Sequence, residues 1–149
     1  MRVRAGRLLP EMLGQAIRHR VTRHPRPTAL HLRSSYAAGL RSLAEVERAA
    51  IPVERVDAPL LLLCGADDQL WPAGEMARTM VERRGTHSVG HEDETRTFAD
   101  AGHFLRPPLV PTTAAWSETL MAGGSARGIA LAQQESWDAV LAFFARRLG

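Results

Sequence analysis

Three ionisable residues, Asp67, Asp68 and His103, stand where this chain could carry out proton transfer. The carboxylates fall in Gly65-Ala66-Asp67-Asp68-Gln69-Leu70-Trp71-Pro72, and the imidazole follows about 35 residues later in Ala101-Gly102-His103-Phe104-Leu105-Arg106-Pro107-Pro108. A carboxylate that accepts the imidazole Nδ1 proton fixes the ring's tautomer. It also stabilises the imidazolium formed when Nε2 takes a proton from a serine or cysteine nucleophile. Gly102 would let the histidine loop approach its neighbours closely. Taken singly, each motif is ordinary loop composition, because acidic turn residues are usually helix caps or solvated. Their joint order and setting give the pair its chemical meaning.

Each motif lies just beyond a segment that reads as a strand. Pro59-Leu60-Leu61-Leu62-Leu63-Cys64 is continuously apolar and stops at Gly65, the pattern of a strand buried on both faces of a parallel sheet. A helix follows, with Met76, Ala77, Met80 and Val81 on its apolar face and Glu75, Arg78, Glu82 and Arg83 elsewhere. Thr95-Arg96-Thr97-Phe98 is the returning strand, placed by its flanks more than by its own composition. Strand, loop, helix and strand make a parallel βαβ unit, so the fold class is α/β. Such sheets present functional groups beyond the C-terminal ends of their strands. Acid before histidine is also the order of the later two members of an α/β-hydrolase triad.

Around this unit, residues 7–20 read as an amphipathic helix through Leu8, Leu9, Met12, Leu13, Ala16 and Ile17, with Pro10 tolerated in its first turn. A second helix spans residues 34–49 through Tyr36, Leu40, Leu43 and Val46, and residues 51–56 form an extended connector. The last helix places Trp137, Val140, Leu141, Phe144 and Leu148 on one face, expected to dock on the sheet. Arg146 and Arg147 fall in its final turn.

The 149 residues suit one ordinary core. Cys64 is the sole cysteine, so neither an internal disulfide nor a CxxC metal or redox site can form, and a reducing, cytosolic setting is expected. No apolar run approaches the ~20 residues that span a bilayer. The isoelectric point is near 10.3, yet the net charge is only +3. Residues 1–50 hold ten arginines against Glu11, Glu45 and Glu47, while residues 51–149 hold nine arginines against thirteen acids. Every basic residue is arginine, which we read as codon bias of a GC-rich genome. The basic segment lacks interleaved aromatics, so no nucleic-acid partner is expected.

The wording of the motifs resembles a specific family. Ile51-Pro52-Val53-Glu54-Arg55-Val56, then Pro59 to Pro72, looks like the C-terminal region of the bile acid-CoA:amino acid N-acyltransferase and type I acyl-CoA thioesterase family. Ala101 to Pro108 is similar to its histidine loop. Gly123-Gly124-Ser125-Ala126-Arg127 and Ala132-Gln133-Gln134-Glu135-Ser136-Trp137 are similar to its closing glycine turn and helix. The resemblance covers about residues 45–145, leaving 1–50 as an arginine-rich helical lead and 51–149 as the family-like region. It implies an α/β-hydrolase fold and an acyl-CoA substrate, whose acyl group passes through a serine or cysteine to water or an amino acid. It implies Asp68 as triad acid, Asp67 as its non-catalytic neighbour and His103 as general base; by spacing alone, Asp67 stays open as the alternative acid. Trp71 and Pro72 match the family pattern too, and we read them as packing for the acid loop. No cofactor or metal is implied. Phe98-Ala99-Asp100 departs from the aromatic-proline pair that often precedes Gly-His in the family.

The larger departure is that no Gly-x-Ser-x-Gly or cysteine elbow occurs. Ser125 has Arg127 where the closing glycine belongs, and it follows the histidine. Cys64 ends the strand that feeds the acid loop, where nearby carboxylates would raise its pKa. The N-terminal half of a hydrolase core, carrying the nucleophile, is therefore expected outside this sequence. The chain would be a truncated product, a mis-assigned start, half of a split enzyme or a piece kept for another purpose, and inactive alone. Two rivals remain: a non-catalytic module whose sheet edge pairs with itself or a complementing chain, and a zinc site at His87 and His91. Ser88-Val89-Gly90 favours a solvated linker over the latter.

Overall fold

The apolar run after Pro59 forms strand β1 (Leu61–Gly65) in the computed structural model, which describes residues 10, 13–14, 32–87, 92–112 and 120–148. β1 pairs in parallel with β2 (Glu94–Phe98), Leu61 lying opposite Glu94 and Gly65 opposite Phe98. Helix α3 (Ala73–Thr86) makes the crossover between them, completing the expected βαβ unit. Before β1 come α1 (Arg33–Leu40), α2 (Leu43–Ala49) and a 3-10 turn at Val53–Arg55; after β2 comes the long α4 (Ala126–Leu148). Among the described residues the sheet has two strands, so one edge of β1 carries no partner. No helix among them is long and apolar enough to cross a membrane.

A buried ion pair sets where the strands begin. Arg84 of α3 is 1% exposed and donates to the carbonyls of Val53, Val56 and Ala58, and to Asp93 at 2.7 Å. Asp93 in turn accepts from the Leu60 N–H at 2.9 Å, and the Glu94 N–H donates to the Leu60 carbonyl at 2.8 Å. All three guanidinium nitrogens thus find acceptors, as a buried charge requires. Arg83 beside it forks onto Glu54 at 2.6 and 3.0 Å, tying α3 to the 3-10 turn.

Four expectations change. The single helix over 34–49 is two, interrupted at Arg41 and Ser42, where the N–H groups of both residues bond back three positions and Ser42 turns extended. The connector at 51–56 contains the 3-10 turn. The docking face of the last helix is also not the aromatic one. Gly128, Ile129, Ala132, Gln133, Ser136 and Phe143 are buried, whereas Trp137, Leu141, Phe144 and Leu148 are exposed and Val140 is half-buried. The start of α4 lies close on the chain beneath it: a Cβ at Gly128 would fall 2.1 Å from the Asp100 carbonyl oxygen. Ala132 packs with Phe98 and Ala101, flanked by Leu63 and Leu105. β1 itself is fully buried only at Cys64 and Gly65. The expected helix over 7–20 lies outside the described residues except at Pro10, Leu13 and Gly14, which are helical.

Candidate active site

Both motifs meet at the C-terminal end of the sheet. Beyond β1 the Ala66 N–H donates to the Phe98 carbonyl and the Asp67 N–H to the Ala101 carbonyl, both at 2.9 Å, so the acid loop is sewn to the loop that follows β2. That loop is fixed in turn by the His103 N–H, which donates to the Ala122 carbonyl at 2.8 Å, and by an antiparallel bridge between Ala101 and Gly124. Gly102 sits where any side chain would collide, its added Cβ falling 2.2 Å from the Gly123 carbonyl oxygen. Gly123 has φ +79°, a left-handed conformation that glycine adopts without strain.

Asp68 and His103 are brought together. The His103 Nδ1 lies 2.9 Å from Asp68 Oδ2, with the histidine side chain 19% exposed and the carboxylate 3% exposed. The other oxygen, Oδ1, accepts from the N–H groups of Leu70 at 2.8 Å and Trp71 at 2.9 Å. The carboxylate plane is therefore held by its own turn while one oxygen is left for the imidazole. Asp67 points elsewhere: its Oδ2 accepts from the Gly124 N–H at 2.8 Å and its Oδ1 from Gln69 Nε2. The two adjacent carboxylates, inseparable by spacing, have different partners in space.

Aromatic rings enclose the imidazole. Trp71 meets it edge-on at 4.8 Å and Phe104 at 5.0 Å, and Tyr36 of α1 rests on Trp71 at 5.9 Å. Pro72 is fully buried, while Trp71 is 43% exposed, its ring in contact with both Tyr36 and the imidazole. Arg33 at the start of α1 donates Nη1 to the carbonyls of Asp68 at 2.8 Å and Trp71 at 3.2 Å. No motif marked Arg33 or Arg84 in the sequence; each was one arginine among nineteen.

Cys64 is buried, its thiol pushed up by that burial and further by the charge of Asp68, and its Sγ lies 3.7 Å from the Ala73 carbonyl oxygen. Ser125 bonds to Asp100 and accepts from the Gly128 N–H at 3.0 Å, the arrangement of a helix cap. His91 lies outside the described residues, and His87 is exposed with Nδ1 2.8 Å from the Arg83 carbonyl oxygen. Among the described residues no three His, Cys, Asp or Glu side chains gather as a metal site.

A family model described as "BAAT / Acyl-CoA thioester hydrolase C terminal" matches residues 12–149. The chain belongs to this family. Curated relatives agree with the assignment. Acyl-coenzyme A thioesterase 1 of Rattus norvegicus is 30% identical over 115 residues, which cover 74% of this chain and 27% of that protein. The mitochondrial acyl-coenzyme A thioesterase 2 of Mus musculus is 32% identical over 69% of the chain and 24% of its own length. The peroxisomal succinyl-coenzyme A thioesterase of Mus musculus is 27% identical over 66% of the chain and 24% of its own length. The chain thus spans about a quarter of the length of these relatives.

Proposed function

We propose that this chain contributes the acid and base of an acyl-CoA thioester hydrolase of the α/β-hydrolase type, and that the nucleophile comes from outside these 149 residues. The observation that carries the reading is the 2.9 Å contact between His103 Nδ1 and an Asp68 carboxylate held by two backbone N–H groups. In that arrangement the Asp68 carboxylate accepts the hydrogen bond from Nδ1–H, and Nε2 takes the proton of a serine or cysteine as it attacks the thioester carbonyl. His103 then returns the proton to the departing thiolate of coenzyme A, and the cycle repeats when water attacks the acyl-enzyme. The same pair serves transfer to an amino acid if an amine reaches the acyl-enzyme first.

Membership in the thioesterase family supports the substrate class, and the lack of an elbow motif supports an external nucleophile. A complementing role is favoured by the edge of β1 that has no partner among the described residues and by the exposed apolar stripe Trp137, Leu141, Phe144 and Leu148. The test is to read the coding sequence upstream in frame for a Gly-x-Ser-x-Gly or Gly-x-Cys-x-Gly elbow and to express the extended protein. Acyl-CoA hydrolysis should appear and fall by about 10⁶-fold in His103→Ala. Hydrolysis indifferent to His103→Ala would reject the assignment.

A further inference from the structure

Arg33 opens α1, and its interactions converge on the turn that carries Asp68. Its backbone N–H donates to the Gln69 carbonyl at 3.1 Å, and its Nη1 donates to the carbonyls of Asp68 at 2.8 Å and Trp71 at 3.2 Å. Its Nη2 lies 3.8 Å from the Glu75 carboxylate at the start of α3. The turn is therefore gripped from two sides: its N–H groups at Leu70 and Trp71 close on Asp68 Oδ1, and its carbonyls at 68, 69 and 71 close on one arginine. A guanidinium suits this task because its fixed fork bonds separated acceptors with less entropy lost per bond than an ammonium. Three residues later Tyr36 places its ring on Trp71, which in turn borders the imidazole.

We propose that Arg33 is a positioning residue for Asp68, so that α1 belongs to the acid–base machinery and is not merely packed beside it. The inference rests on reading Asp68 and His103 as an acid–base pair. With Arg33 in place, the 68–71 turn keeps Oδ2 directed at His103 Nδ1. Without its guanidinium the Asp68 and Trp71 carbonyls turn to water, the turn opens, and His103 loses the acceptor that selects its Nδ1–H tautomer.

The experiment is long-range nitrogen–proton NMR of the ring nitrogens of His103 in the 149-residue chain at a pH where the ring is neutral. Four proteins are compared: the wild type, Asp68→Ala, Arg33→Ala and Arg83→Ala. The last removes an ion pair at the C-terminal end of α3 and controls for general loosening. The wild type should show the Nδ1–H tautomer, and Asp68→Ala should lose it. Arg33→Ala should shift the ring largely to the Nε2–H form, with Arg83→Ala unchanged. An Arg33→Ala ring still in the Nδ1–H form overturns the proposal and leaves the acid–base reading standing. Equal loss in Arg33→Ala and Arg83→Ala overturns it too, since the effect would then be one of stability. A wild-type ring in the Nε2–H form overturns the acid–base reading and this proposal with it.

Discussion

Asp68 divides its work between two oxygens, one held by backbone N–H groups and one turned to His103. This division was not readable from the motif, because Asp67 and Asp68 differ by one position and no periodicity separates them. The distinction comes from the turn, which sends one carboxylate inward to the imidazole and the other across to Gly124. Gly102, by contrast, was legible as a close-approach glycine, and the 2.2 Å clash that a Cβ would make gives that reading a consequence. Gly102→Ala should cost about 1–3 kcal/mol through forced displacement of the histidine loop. Urea unfolding of the purified variant measures the cost. A midpoint equal to that of the wild type would mean that the loop yields freely.

The strands and the crossover helix were visible because a continuous apolar run, a glycine stop and a 3.6-residue period are local signals. β2 was weaker, since its middle three residues, Thr95, Arg96 and Thr97, are exposed and its identity depends on pairing with β1. The docking face of α4 is set not by its apolar stripe but by how closely the helix lies on the chain at 100–101, which Gly128 and Ala132 permit. The buried face carries Gly128, Ala132 and Ser136 beside Ile129, Gln133 and Phe143, while Trp137, Leu141, Phe144 and Leu148 stay exposed. Ile129→Ala on the buried face should therefore cost about 2–5 kcal/mol. Leu141→Ala, at 53% exposure, should stay within about 0.5 kcal/mol of wild type. Denaturant titration of both variants checks the pair, and a larger loss from Leu141→Ala would reverse the helix. A further element-scale outcome concerns Glu54, whose carboxyl the Arg83 guanidinium holds down to about 2 from the ordinary 4.5. Because the folded value is the depressed one, the stabilisation is present above the ordinary value and disappears as pH falls from 4.5 towards about 2. Glu54→Gln should flatten the stability–pH curve across that window, and an unchanged slope would show that the pair contributes nothing there.

At the scale of the whole molecule, one edge of β1 is unpaired and an apolar stripe of α4 is uncovered among the described residues. Bare strand edges and aromatic stripes seek partners. The isolated chain should therefore self-associate in size-exclusion chromatography or bind a complementing segment; a monodisperse, stable monomer would speak against an incomplete core. The central claim is that Asp68 and His103 form an acid–base pair awaiting a nucleophile. Its most direct test is release of free thiol from a palmitoyl-CoA series by the purified 149-residue chain. We expect no turnover above that of buffer; robust release that His103→Ala abolishes would contradict the account, because the nucleophile would then lie within the chain itself.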